Sequence, residues 1–250
     1  MSQETKNTIP AALLSEFKTF PNQGAIWEII EKKATGKIYK LPSEGVLLVE
    51  NVAESFIFIA GPIDEASIEN INSLVSYKTF PILYCSPEFH SLFLRRGWKF
   101  HFRTALTLKN PDNLMPLNPG FDIQPLNNLD LLKQCARYEY KTKLYGSEDN
   151  FLQHGLGFAL CHDERIVSEA YARTGGGFAE LMVNTHPNYQ SRGYAAQVSS
   201  HLIRECMSAN LTPQTSCHVD NKASINTALK LGFEITGYHT FLIPEWSEQL

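Results

Sequence analysis

Apolar and polar positions along the chain repeat with two different periods, and each change of period marks a new element. Ala195, Val198, Leu202, Cys206 and Ala209 recur at spacings of three and four, which predicts a helix over 193–209 with one apolar face. Runs of alternating or continuous apolar residues predict strands at 37–41, 46–50, 55–59, 81–85 and 98–108. Helices are predicted near 10–20, 22–35, 64–76 and 87–96. The stretch 109–120 breaks this rhythm. It holds Pro111, Pro116 and Pro119 with Asn110, Asn113 and Asn118, the composition of an extended connection. Beyond it the pattern predicts a strand at 121–125, a helix at 128–141, an irregular stretch to 155, and strands at 156–161, 166–173 and 179–185. The 193–209 helix, a strand at 214–219, a helix at 221–231 and a strand at 233–243 complete the chain. Interleaved strands and helices make the class α/β or α+β.

The two sides of the connection end alike. Ser86, Leu94, Gly97 and Trp98 fall where Asn221, Leu229, Gly232 and Phe233 fall later, a weak internal repeat. The expected organisation is therefore two similar domains, 1–109 and 121–250, joined by 110–120. Composition narrows the class. With 43% apolar and 19% charged residues the chain is too apolar to be disordered. A formal net charge of −4, without a basic stripe, gives no sign of a nucleic-acid partner. No apolar run is long enough for a membrane span, and the first residues lack the apolar stretch of a signal peptide, so no membrane partner and a cytoplasmic location are expected. The scattered cysteines Cys85, Cys135, Cys161, Cys206 and Cys217 contain no C-x-x-C. They read as core thiols rather than as a metal or disulfide framework.

The chemistry concentrates between Phe178 and Gly193. A strand runs through a glycine-containing turn into an amphipathic helix, leaving the first amides of that helix unpaired. Those donors and the helix dipole suit a phosphate, and Gly193 and Ala195 let the anion approach the backbone. An ordinary strand–turn–helix with one glycine would read the same. Within Gln190, Ser191, Arg192, Gly193, Tyr194 and Ala195, however, stands Q-x-x-G-x-A. Downstream, an Asn at 221 is followed by a helix ending in Leu231, Gly232 and Phe233. Together these resemble the two signatures of the GNAT acetyltransferase superfamily over roughly residues 121–250. The doubled ending resembles its tandem branch. The resemblance implies a GNAT fold in the second half and a degenerate GNAT-like first half.

It also implies acetyl-CoA as cosubstrate, with the pyrophosphate on the backbone of Arg192, Gly193, Tyr194, Ala195 and Ala196. The pantetheine arm would run along Val183, Asn184 and Thr185, with Asn221 holding it from the opposite side. A helix N-cap is the equally open alternative for Asn221, and Arg192 and Lys222 are candidates to face the ribose phosphate. Gln190 and Ser191 belong to the same loop. Acetyl transfer to an amine needs a base, an oxyanion donor and an acid for the leaving thiolate. Glu180 resembles the base of histone-type GNAT enzymes, and its place in an apolar strand should raise its pKa if it is buried. An exposed edge carboxylate is the alternative. The amide near Val183 or Asn184 is the expected oxyanion donor.

Many members carry a tyrosine acid seven residues after the signature Asn, where this chain has Ala228, so Ser224, Tyr238 or water must serve. Tyr138, Glu139, Tyr140, Tyr145, Glu148 and Asp149 are expected to form an acidic, aromatic acceptor surface. The resulting expectation is acetylation of a primary amine on a small molecule by direct attack in a ternary complex. A protein or peptide amine, or an acyl-CoA-binding module with little turnover, are the alternatives. One CoA per chain is expected, because Gly61-Pro62 replaces the loop in the first half.

Overall fold

A computed structural model describes residues 9–50, 54–76, 78 and 80–247. Eleven strands form one sheet. The first half contributes β1 (Gly36–Lys40), β2 (Val46–Glu50), β3 (Glu54–Ala60), β4 (Phe80–Tyr84) and β5 (Trp98–Leu108). The second half contributes β6 (Asp122–Pro125), β7 (Leu156–His162), β8 (Arg165–Gly175), β9 (Phe178–Thr185), β10 (Thr212–His218) and β11 (Phe233–Pro244). The order across the sheet is β1-β2-β3-β4-β11-β5-β10-β9-β8-β7-β6. The last strand of each half has therefore crossed to the other half. β5 pairs antiparallel with β10, and β11 pairs antiparallel with β4. The two exchanged strands also pair with each other along their whole length, from Phe233–Leu108 to Pro244–Trp98. The stretch after Leu108 thus connects parts of one continuous sheet.

Helices cover both faces. On one face lie α3 (Glu65–Val75) and α4 (His90–Leu94) of the first half and α8 (Tyr194–Ser208) and α9 (Lys222–Lys230) of the second. They close two cores, one around Leu47, Ile57, Ile68 and Phe93, the other around Ala170, Leu181, Val198 and Leu202. On the other face α1 (Ala11–Phe17) and α2 (Gln23–Ile30) cover Leu48 and Phe58. There α5 (Leu129–Lys133), α6 (Tyr138–Tyr145) and α7 (Glu148–His154) cover Ala159 and Cys161. β2 is buried throughout because Leu47 and Val49 enter one core while Val46 and Leu48 enter the opposite one. Among the described residues, no helix is long and apolar enough to cross a membrane.

α2 holds the halves together. Six of its eight residues are buried: Gln23, Gly24, Ala25, Ile26, Glu28 and Ile29. Glu28 accepts from Arg173 Nε of β8 at 2.7 Å, and Arg173 also reaches Glu50 of β2. All three side chains are fully buried, so losing either carboxylate would leave part of a charge uncompensated, typically at a cost of about 3–5 kcal/mol. Gly24 permits the close approach, since a Cβ there would sit 2.3 Å from the Arg173 carbonyl.

Two expectations are corrected. The helix read over 128–141 is broken into α5 and α6, and the stretch read as irregular to 155 contains the end of α6 and all of α7. Gly146, at φ 84, ends α6, and the Ser147 hydroxyl caps α7 by accepting from the Asn150 amide.

Candidate active site

β9 and β10 run parallel but pair only from Thr212–Phe178 to Gln214–Glu180. Past that point they part, while β9 stays paired with β8 as far as Thr185. Met182 to Thr185 thus line an open seam, with Val183 at 42% exposure and Asn184 exposed. At the far end of the seam His186, Pro187 and Tyr189 turn the chain toward α8. Gln190 Nε2 donates to the Thr185 carbonyl at 3.3 Å and steadies the loop. Ser191 and Gly193 both hold left-handed φ angles, 61° and 81°. No side chain caps the start of α8, and a Cβ built on Gly193 meets nothing of the chain within 4 Å. An uncapped helix start beside open space has the donors and the dipole that suit a phosphate. Arg192 stacks over the Tyr189 ring at 5.3 Å, and Tyr194 packs on Phe121.

Glu180 stands where the strands part. It is 6% exposed, so the exposed-edge alternative does not hold. Burial pushes its carboxyl up to about 7, against the opposing pull of the Arg103 guanidinium, the Ser216 hydroxyl and Arg173. It lines a cleft of about 220 Å³. The second half gives this cleft Phe178, Gln214 and Ser216, and the first half gives Lys18, Phe20, Asn22 and Thr107, so both halves build it. Apart from Glu180 the lining contains no carboxylate.

The residues expected to form the acceptor surface lie outside this cleft. Tyr145 is buried and donates to Glu28, Tyr138 donates to Glu148, and Glu139 pairs with Lys143. None of Tyr138, Glu139, Tyr140, Tyr145, Glu148 and Asp149 lines the cleft. These residues belong to α6 and α7. Glu169, the other carboxylate of this face, is held at 2.6 Å by buried Lys141 and also accepts from the Ala136 amide.

Asn221 caps α9, its Oδ1 accepting from the Ser224 amide at 3.1 Å. Ser224 is half-buried, Lys222 is exposed, and Tyr238 is 71% exposed on β11. The side chain of Ala228 is buried in the core under α9, so a tyrosine there would have to displace core packing. Ser216, Asn22, Arg103 and Lys18 were not among the sequence candidates. Arg103 carries only a weak signal, a cation in a largely apolar strand, Ser216 lies in a mostly polar strand, and Lys18 and Asn22 fall within the helices predicted over 10–20 and 22–35.

The sequence matches the GNAT acetyltransferase family over residues 15–242. The chain belongs to the GNAT acetyltransferase family. Within this GNAT frame, a 102-residue segment is 32% identical to the uncharacterized N-acetyltransferase YdfB of Bacillus subtilis. That segment is 40% of this chain, and the chain spans 39% of the length of that curated relative. The fold is similar to a GCN5-related N-acetyltransferase-like protein from Streptococcus suis, with a TM-score of 0.71 at 22% identity over 90% of this chain and 94% of that one. It is also similar to a tandem GNAT protein from the clavulanic acid biosynthesis pathway, with a TM-score of 0.60 at 12% identity over 93% and 91% of the two chains. The mixed α/β GNAT fold is thereby established, and its structural neighbours include a tandem GNAT protein.

Proposed function

We propose that this protein is an acetyl-CoA-dependent N-acetyltransferase that acts in the cytoplasm on a primary amine of a small molecule. The observation that carries the reading is Glu180, a buried carboxylate at the point where β9 and β10 part, with its midpoint near neutrality. The residues present fit the cosubstrate. The uncapped start of α8 and the open space at Gly193 suit its pyrophosphate, and the seam beside Met182 to Thr185 suits its extended arm. Bound there, acetyl-CoA would supply an acyl group as a thioester.

The chain's own contribution is positional and electrostatic. The cleft admits an amine from the opposite side of the seam, and Glu180 Oε takes a proton from its nitrogen. A midpoint about 7 leaves a useful fraction of Glu180 ionised at neutral pH, yet makes it a stronger base than an exposed carboxylate. The amide at Val183 or Asn184, on the strand that carries Glu180, is the donor for developing negative charge. The lining favours an acceptor with a single amine and a neutral or anionic remainder. Lys18 stands in the cleft wall, and a second positive charge on the acceptor would find no partner.

A second reading has one specific support. With Ala228 in the core, the usual tyrosine acid is missing, which fits an acyl-CoA-binding module of slow turnover. Thiol release from acetyl-CoA across a panel of amines, with wild type and Glu180→Gln, separates the two. The expected result is turnover with monoamines and a fall in kcat/KM of about 10²–10⁴ at pH 7 in the variant, shrinking at high pH. CoA binding without thiol release for any amine would leave the binding module. Equal rates for the two proteins at pH 7 would remove Glu180 from the chemistry.

A further inference from the structure

Ser216 lies on β10 beside Glu180 and makes more contacts than one hydroxyl can satisfy in the same way. Arg103 of β5 donates its Nε–H to Ser216 Oγ at 3.1 Å, and its Nη2 reaches the Ser216 carbonyl. Ser216 Oγ is also 3.1 Å from Asn22 Oδ1 and 3.3 Å from Glu180 Oε1. Arg103 can only donate, so it occupies a lone pair and holds Ser216 from one side. The single hydroxyl proton is left with two acceptors, an amide oxygen and a carboxylate. The Asn22 oxygen faces Ser216 because Asn22 Nδ2 donates to Tyr84 Oη at 2.9 Å. The strand exchange is what brings these groups together: Arg103 and Asn22 come from the first half, Ser216 and Glu180 from the second.

We propose that Ser216, locked by Arg103, is the positioning residue for Glu180. Its hydroxyl donates to the carboxylate while the carboxylate is free to act, and turns to Asn22 once Glu180 has taken up the proton of the amine. The inference rests on Glu180 as the base. The proton balance is simple. The amine gives one proton to Glu180, and the Ser216 hydrogen stays on its own oxygen and changes only its acceptor. The carboxylate is held by a charge-assisted hydrogen bond, which is stronger than the neutral bond to Asn22. Proton uptake reverses that preference, because a protonated carboxyl is a poorer acceptor.

The other ionisable groups facing Glu180 are Arg173 of β8, Tyr84 of β4, His239 of β11 and Lys18 from the segment before α2. Burial and then Arg103 push His239 down to about 4, so it is neutral in the working range. Burial raises Tyr84, which stays protonated. Arg173 lowers the Glu180 midpoint but is tied to Glu28 and Glu50. Among these groups only Ser216 is hydrogen-bonded directly to Glu180 and has an alternative acceptor.

The test reads Glu180 in two ways: its titration in the free protein by ¹³C-carboxyl NMR, and the acid limb of the kcat/KM profile with acetyl-CoA and an active monoamine. The wild-type midpoint is expected near 7. Ser216→Ala should raise it by about one pH unit in both readouts, so that activity is lost mainly below the midpoint. Ser216→Thr keeps the hydroxyl and should return the midpoint to the wild-type value. Asn22→Gly removes the competing acceptor and suits the φ of 59° at that position, so it should move the midpoint down. Opposite shifts in Ser216→Ala and Asn22→Gly support the proposal. An unmoved midpoint in either variant overturns it. Should Ser216→Ala fail to fold, Asn22→Gly with Ser216→Thr decides it alone. Failure of the base reading would look different: the NMR midpoints would shift as expected while Glu180→Gln kept its activity.

Discussion

From β1 to β5 and from β7 to β11 the two halves carry the same run of strands and helices, and the contrast between β3–α3–β4 and β9–α8–β10 shows what a binding site requires beyond a fold. In the first half β4 is paired with β3 along its whole length, from Glu54–Phe80 to Phe58–Tyr84, and no seam opens. In the second half the pairing stops at Gln214–Glu180. The helix start differs as well. Asp64 caps α3, accepting from the Ser67 amide at 2.8 Å, so a carboxylate of the chain itself already occupies the positive end of the helix. Glu16 accepts from the Gly61 amide and, with its other oxygen, from the Ser86 hydroxyl. At α8 no side chain takes this place. Counted from the first paired residue of each parallel pair, Phe56 of the first half stands where the second half has Glu180. A helix start is closed when the chain satisfies its own donors, as Asp64 and Glu16 do in the first half.

The sharpest break of this comparison is a pair of glycine variants. Gly193→Val is expected to remove CoA binding by calorimetry, with one CoA per wild-type chain. It adds a branched side chain in front of the amides and strains a φ of 81°. Gly61→Val should leave CoA affinity unchanged and only lower the melting temperature, because its Cβ would meet Leu13 at 2.8 Å. A stoichiometry of two, or loss of CoA binding in Gly61→Val, would show that the first half is not closed.

Glu180 should also reveal itself through stability. Burial raises its folded-state midpoint from 4.5 to about 7, so the stabilisation tied to its protonated form is fully present below pH 4.5 and is lost as pH rises through 7. At pH 8 the ionised group would then cost about 3 kcal/mol. Glu180→Gln is expected to be more stable than wild type by about that amount at pH 8 in denaturant unfolding. The difference should vanish near pH 4. Phe56 of the first half carries no such cost. Equal stability at pH 8 would mean that the carboxyl is better solvated than its 6% exposure implies.

The smallest effect concerns the cap of α3. Ser67, through its hydroxyl and amide, holds the Asp64 carboxyl below its usual range. Its contribution is therefore present above the unfolded midpoint and lost as pH falls through the lower folded one. Asp64→Ala should lower the melting temperature slightly at pH 7, less at pH 3, and create no second CoA site. Appearance of a second site would identify the cap alone as what closes the first half.

The elements that depend on local signals were legible in the chain. β2 and β5 match their predicted bounds, and the strand, loop and helix around Gly193 fall where the pattern and motif placed them. The burial of Glu180 was left open by its strand neighbours and is decided by the structure. α7 and the end of α6 were not legible. α6 as a whole buries Lys141 and Tyr145 because Glu169 and Glu28, distant in sequence, receive them. A two-letter apolar pattern treats such residues as surface.

By itself, then, the sequence determined the alternation of strands and helices, the uncapped glycine turn and the carboxylate beside it, because propensity, periodicity and backbone freedom act over a few residues. Tertiary structure decided which strands became neighbours. Nothing within β5 or β11 specifies that each lies in the opposite half, since a strand's free edge accepts any partner that the surrounding cores bring to it. That exchange set Arg103 against Ser216, which Asn22 also meets, and brought residues of the first half to Glu180. The cleft beside Glu180 therefore exists only in the assembled sheet, where burial and proximity, rather than local sequence, fix the chemistry of its side chains.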